Sequence, residues 1–125
     1  MAKDDYNRIV GLILAFLYAR LRGKTEKDPE TYLQAMTKDF PISEEYFLFV
    51  LDELAKKNLI SGIKIIRAWG GTAINISNMS AIRITSDGID YLSQNKPVRK
   101  ALAWIRDNSE PLPGLVTTIC DILNL

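Results

Sequence analysis

The chain has no histidine, one cysteine and almost no net charge, and each shortage narrows what it can do. Without histidine there is no Ser-His or Cys-His nucleophile pair, no general base of the commonest kind and no zinc site built on imidazole. The lone Cys120 cannot supply a thiolate cage. It also excludes an intrachain disulfide; it lies in an apolar helical pattern, reads as a buried inert thiol, and fits a reducing cytoplasm. Sixteen basic residues against fifteen acidic ones leave a net charge of +1, so any attraction for nucleic acid must come from local clustering. Long apolar runs are missing too. The uninterrupted stretch from Ile9 to Ala19 is about half of the ~20 residues a membrane-spanning helix needs. Asp4 and Asp5 before it are wrong for the basic start of a signal peptide. No membrane partner, no cofactor and no small-molecule substrate is expected, and there is no internal repeat or low-complexity segment.

What is present is enough apolar material, 47% of 125 residues, for the core of one domain spanning residues 1–125. Apolar positions 6, 9, 10, 13, 16, 17 and 21 follow the helical stripe and predict a first helix over Asp5 to Leu21. Leu12, Leu14, Ala15 and Tyr18 widen that stripe, so the helix should be buried on more than one side, either as a central core helix or shared with a second subunit. Gly11 would let another backbone approach closely. A polar linker with a small basic cluster (Arg20, Arg22, Lys24, Lys27) reads as a solvated loop. Asp28 then caps a second helix that opens at Pro29 and buries Tyr32, Leu33, Ala35 and Met36.

The stretch Ser43 to Leu92 organises the rest. Ser43, Glu44 and Glu45 start a third helix that runs to about Lys57, with a capping hydroxyl followed by negative charge beside the positive end of the helix dipole. Phe47, Val50, Leu51 and Leu54 should face the core. A two-stranded ribbon is expected to follow, Ile60 to about Trp69 paired with Ser80 to Ile84, with Ile74 and Ile76 able to add a short strand or flap inside the long loop Gly70 to Met79. Trp69 reads first as a packing residue at the base of the ribbon, with a stacking role as the alternative. Thr85 then opens another helix. The order helix, helix, helix, ribbon, helix is that of a winged helix-turn-helix: an α+β class, mostly helical, with a two- or three-stranded antiparallel wing and C-terminal helices.

The motif Ile84-Thr-x-x-Gly-x-x-Tyr-Leu92, taken with Leu59-Ile60-Ser-Gly62 before the ribbon and Asn95 and Lys100-Ala101 after it, resembles the YjcQ family of small bacterial and prophage proteins over roughly Tyr6 to Ile105. The resemblance implies a winged-helix fold, no established enzymatic activity and no catalytic residues. It also implies the family's usual description as DNA-binding, which rests on fold.

After Lys96, Pro97 opens a helix over Val98 to Asp107, in which Leu102, Trp104 and Ile105 are apolar and Trp104 reads as a core or interface residue. A stiff connector, Ser109 to Gly114, leads to an apolar helical pattern at Leu115 to Leu125. Residues 109–125 thus form a C-terminal extension. With the over-apolar first helix it favours a homodimer, while completion of a single-chain core explains both equally well.

Charge is unevenly placed. Residues 28–55 hold seven acids and one base, a net of −6, whereas residues 56–86 hold five bases and no acid, a net of +5. Two functional readings follow. A DNA-binding regulator would place Lys56, Lys57, Lys64, Arg67 and Arg83 on the phosphates of double-stranded DNA. A protein-interaction module would present Glu45, Phe49, Asp52 and Glu53 to a basic partner. Carboxylates on the third helix argue against classical major-groove reading by that helix. An enzyme is not expected: Glu44 with Glu45, and Asp52 with Glu53, have no base partner and no metal-ligand spacing, and read as solvated helix faces.

Overall fold

The computed structural model describes residues 2–26, 28–39, 42–71 and 73–107. Its axis is α1 (Ala2–Leu21), in which every apolar side chain from Ile9 to Leu17 is at most 3% exposed. So wide an apolar surface on one helix requires neighbours on several sides, and α1 has them within its own chain. The third, fourth and fifth helices and the last strand all pack against it. At Gly11 it is side chains, not another backbone, that come close. A Cβ there would lie 3.1 Å from Leu102 Cγ and 3.2 Å from Val98 Cγ1, both on the fifth helix. The connector, the Leu115 to Leu125 segment and Cys120 lie outside the described residues.

Caps begin the next helices as their sequences predict. Asp28 Oδ2 accepts the Thr31 N–H at 3.1 Å ahead of α2 (Pro29–Asp39). Ser43 Oγ accepts the Tyr46 N–H at 3.1 Å ahead of α3 (Glu44–Lys56). On α2, Tyr32 stacks on Phe16 of α1 with ring centroids 3.9 Å apart, and Leu33 is fully buried. The predicted core face of α3, Phe47, Val50, Leu51 and Leu54, is buried as a set.

The wing differs from the expected ribbon. β1 (Ile60–Ser61) pairs antiparallel with β4 (Arg83–Ile84), Ile60 opposite Ile84, so the predicted pairing holds at the base. The wing proper is β2 (Lys64–Arg67) paired with β3 (Ala73–Ser77), with Lys64 opposite Ser77 and Ile65 opposite Ile76. The Ile74-Asn75-Ile76 alternation therefore forms the return strand itself. Two left-handed residues divide the ladder. Gly62 (φ +86) sits where a side chain would overlap the Ala81 carbonyl, and Asn78 (φ +61) leads into a 3-10 turn at Met79–Ala81 that separates β3 from β4.

Thr85 caps α4 (Ser86–Gln94) by accepting the Gly88 N–H at 3.0 Å. For α5 (Lys96–Asp107) the cap is Asn95, whose Oδ1 accepts the Val98 N–H at 3.0 Å; the helix starts one residue before Pro97. The result is a winged helix in the α+β class, with two small antiparallel sheets and helices following the wing. Among the described residues no helix is long and apolar enough to cross a membrane.

Candidate functional site: the wing and the third helix

Alternation along β2 decides what the wing offers. Ile65 and Arg67 share one face and Lys64 and Ile66 the other. Arg67 lies on the face toward α3, and its guanidinium grips Asp52 with Nη2 to Oδ1 at 2.6 Å and Nη1 to Oδ2 at 3.1 Å. Lys56 Nζ approaches the same carboxylate at 3.4 Å. Asp52, read from sequence as part of an exposed acidic face, is only 6% exposed. A guanidinium fork matched to a carboxylate fixes orientation as well as charge. Arg67 Nη1 also donates to the Gly71 carbonyl at 3.1 Å, so one side chain ties the turn of the wing to α3.

The hydrogen bond from Arg67, with help from Lys56, holds the Asp52 carboxyl below the usual carboxylate range, against the upward push of burial. A carboxyl lowered on folding stabilises the native state above its unfolded value, about 3.9, and loses that contribution as pH falls through the folded value. Asp52→Asn is therefore expected to be less stable than the native protein at pH 7 and to lose less stability between pH 5 and pH 3. Urea unfolding across that range checks it, and parallel pH profiles for the two proteins would count against the clamp.

The five basic candidates do not form one patch. Lys56 and Arg67 share Asp52 on the seam between α3 and the wing. Lys57 stands beside α4, close enough to Tyr91 to offset part of the rise that burial gives its hydroxyl. Lys64 is exposed on the outer face of the wing. Arg83 lines a small cleft with Arg20 and Leu21 at the end of α1. The acidic candidates divide similarly. Glu45 and Phe49 are exposed, Phe49 at 51%, whereas Glu53 is half-buried and close enough to Tyr6 of α1 to raise the phenol, whose burial is the larger cause.

Trp69 overturns its first reading. It is fully exposed in the turn of the wing, far from packing at the base, and Gly70 and Gly71 beside it take φ +89 and +86. Those left-handed glycines let the chain reverse directly after an indole that nothing in the core holds. Trp104 is likewise no core residue: it is 40% exposed, with the Arg8 guanidinium 3.8 Å above its ring centroid. Sequence reasoning missed both the Asp52–Arg67 grip and the Arg8–Trp104 stack, because each joins elements whose relative placement no local pattern encodes. Among the described residues no group of three Cys, Asp or Glu side chains is placed to hold a metal ion.

No curated protein and no solved structure matches the chain significantly. The family model described as YjcQ protein matches residues 12–108, from the middle of α1 past the end of α5 and through the whole wing. The match takes in well over half of the chain, which belongs to the YjcQ family.

Proposed function

We propose that this protein binds double-stranded DNA with its wing leading, as a DNA-binding regulator of bacterial or prophage type. One observation carries the reading: a fully exposed tryptophan at the turn of a hairpin in a stretch, residues 56–86, that contains five bases and no acid. An indole so placed loses nothing by leaving water and can wedge or stack in a groove. Lys64 would meet a phosphate, and Lys56 extends the basic surface toward α3. Arg67 plays a different part from the one its charge suggests. Its bonds to Asp52 and Gly71 brace the wing, so it positions the tip rather than neutralising phosphate.

Binding of the purified protein to mixed-sequence duplex DNA should weaken steeply between 50 and 200 mM salt. Lys64→Ala should lower the slope of log affinity against log salt by about 1. A binding curve indifferent to salt, or no binding at the lower concentration, would remove DNA from the account. Solution mass measured on the same sample tests the homodimer, and a dimer would call for a two-fold symmetric target.

A protein-interaction role is the second reading, favoured by Phe49. It stands half exposed on α3 between Glu45 and Glu53 at helical i, i+4, i+8 spacing. A basic partner with an apolar anchor would fit that stripe. Phe49→Ala with Glu53→Lys should abolish capture of such a partner and leave wing-led DNA binding in place.

A further inference from the structure

A second surface, built from α1 and α5, has no residue in common with the wing or α3. A groove of about 380 Å³ opens between these helices, lined by Asn7, Arg8, Lys96, Pro97, Lys100 and Trp104 among others. Its size is within the range of small-ligand sites, about 300–1,000 Å³. Among the described residues its chemistry is one-sided: the charged side chains that line it, Arg8, Lys96 and Lys100, are basic.

The local sequence works against the helix that carries these charges. Lys96 begins α5, so a cation sits at the positive end of the helix dipole. Lys96 and Lys100 stand four residues apart on one side, a like-charge spacing that weakens a helix. Among the described residues neither lysine has an ion-pair partner. Local rules broken twice, without compensation among the described residues, are a sign of a site kept for binding. An anion placed between the two lysines would satisfy both and reverse the penalty.

The Arg8–Trp104 stack adds the second half of the site. The guanidinium lies 3.8 Å from the indole centroid, and Trp104 keeps 40% of its surface exposed. Nucleobases stack on aromatic rings and on arginine planes, and a flat cationic stack beside two ammonium groups offers a base and a phosphate their partners in one groove. Asn7 adds an amide able to donate and accept at its edge. We infer that the α1–α5 groove binds a nucleoside monophosphate, its phosphate on Lys96 and Lys100 and its base against Arg8 and Trp104.

The chain has two tryptophans, and Trp69 is fully exposed, so Trp69→Phe leaves Trp104 as the sole indole without touching the core. In that background AMP should quench Trp104 fluorescence saturably. Adenosine and inorganic phosphate, each carrying half of the recognition, should bind at least tenfold more weakly. Lys96→Ala with Lys100→Ala should weaken AMP by roughly tenfold for each lysine, the loss of one charge-assisted hydrogen bond apiece. The thermal midpoint of that variant should stay the same or rise, since a repulsive pair has gone; a purely structural role for the lysines predicts a fall. Failure of AMP to quench, undiminished AMP binding by the double variant, or a short single-stranded oligonucleotide binding where AMP does not would each overturn the assignment.

Discussion

Replacing Gly88 with alanine is expected to destabilise the protein by about 3 kcal/mol, the upper part of the range for overpacking a fixed site. An added Cβ would overlap the Leu59 carbonyl oxygen and press on Ile84 Cγ1. Neither neighbour can retreat cheaply. Leu59 O already accepts the Thr85 N–H at 3.1 Å, Ile84 is paired with Ile60 across the base of the wing, and Thr85 Oγ1 donates to Asn58 O at 2.5 Å. Gly88 N–H donates back to Thr85 Oγ1, so one corner caps α4, closes the base of the wing and receives the end of α3. Moving any one of them breaks a hydrogen bond in a partly buried corner. Urea unfolding of Gly88→Ala measures the loss, with Ser86→Ala two residues away on the exposed side as a control expected within about 0.5 kcal/mol of the native protein. Native stability in Gly88→Ala would mean that α4 can slide away from Leu59, and the corner would no longer explain the motif.

That corner also explains what could be read from sequence. The starts of α2, α3 and α4 were legible because a cap is a local device: Asp28, Ser43 and Thr85 each bond a backbone N–H three residues ahead, at a distance along the chain that sequence reasoning can see. The core face of α3 was legible from its period for the same reason. The wing was only half legible. That the chain near Ile60 pairs with the chain near Ile84 followed from the expected strand ranges, whereas the residue register came only with the fold. The return strand depended on Gly62 and Asn78 taking left-handed conformations, which set where the ladder breaks. Composition permits those conformations without requiring them. The candidate site was least legible because its decisive contact spans fifteen residues and two kinds of element. Asp52 and Arg67 appear on opposite sides of the charge division at residue 56, and a count by blocks places them on rival surfaces. In the fold they neutralise each other, which removes one acid from the proposed partner face and one base from the proposed DNA face.

Trp69→Ala is expected to weaken duplex DNA binding by about tenfold, the usual worth of a stacked or wedged aromatic side chain. It should do so without changing stability, because a fully exposed indole contributes no packing to the native state. Charge and contact can be told apart by salt. The loss from Trp69→Ala should be nearly the same at 50 and 200 mM, since no counterion is released by an indole, whereas the loss from Lys64→Ala should shrink as salt rises. Arg67→Ala makes the third comparison: it leaves Asp52 with Lys56 alone and releases the turn of the wing, so it should both destabilise the protein and weaken DNA binding more than its own charge would predict. If Trp69→Ala binds DNA as the native protein does, the tip is not a contact, and the exposed Phe49 stripe on α3 becomes the surface to probe with a basic protein partner. If Trp69→Ala alone loses binding while Lys64→Ala retains the full salt slope, the wing inserts without a phosphate anchor at Lys64, and the positive charge that steers the complex lies among the other basic candidates, Lys56, Lys57 and Arg83.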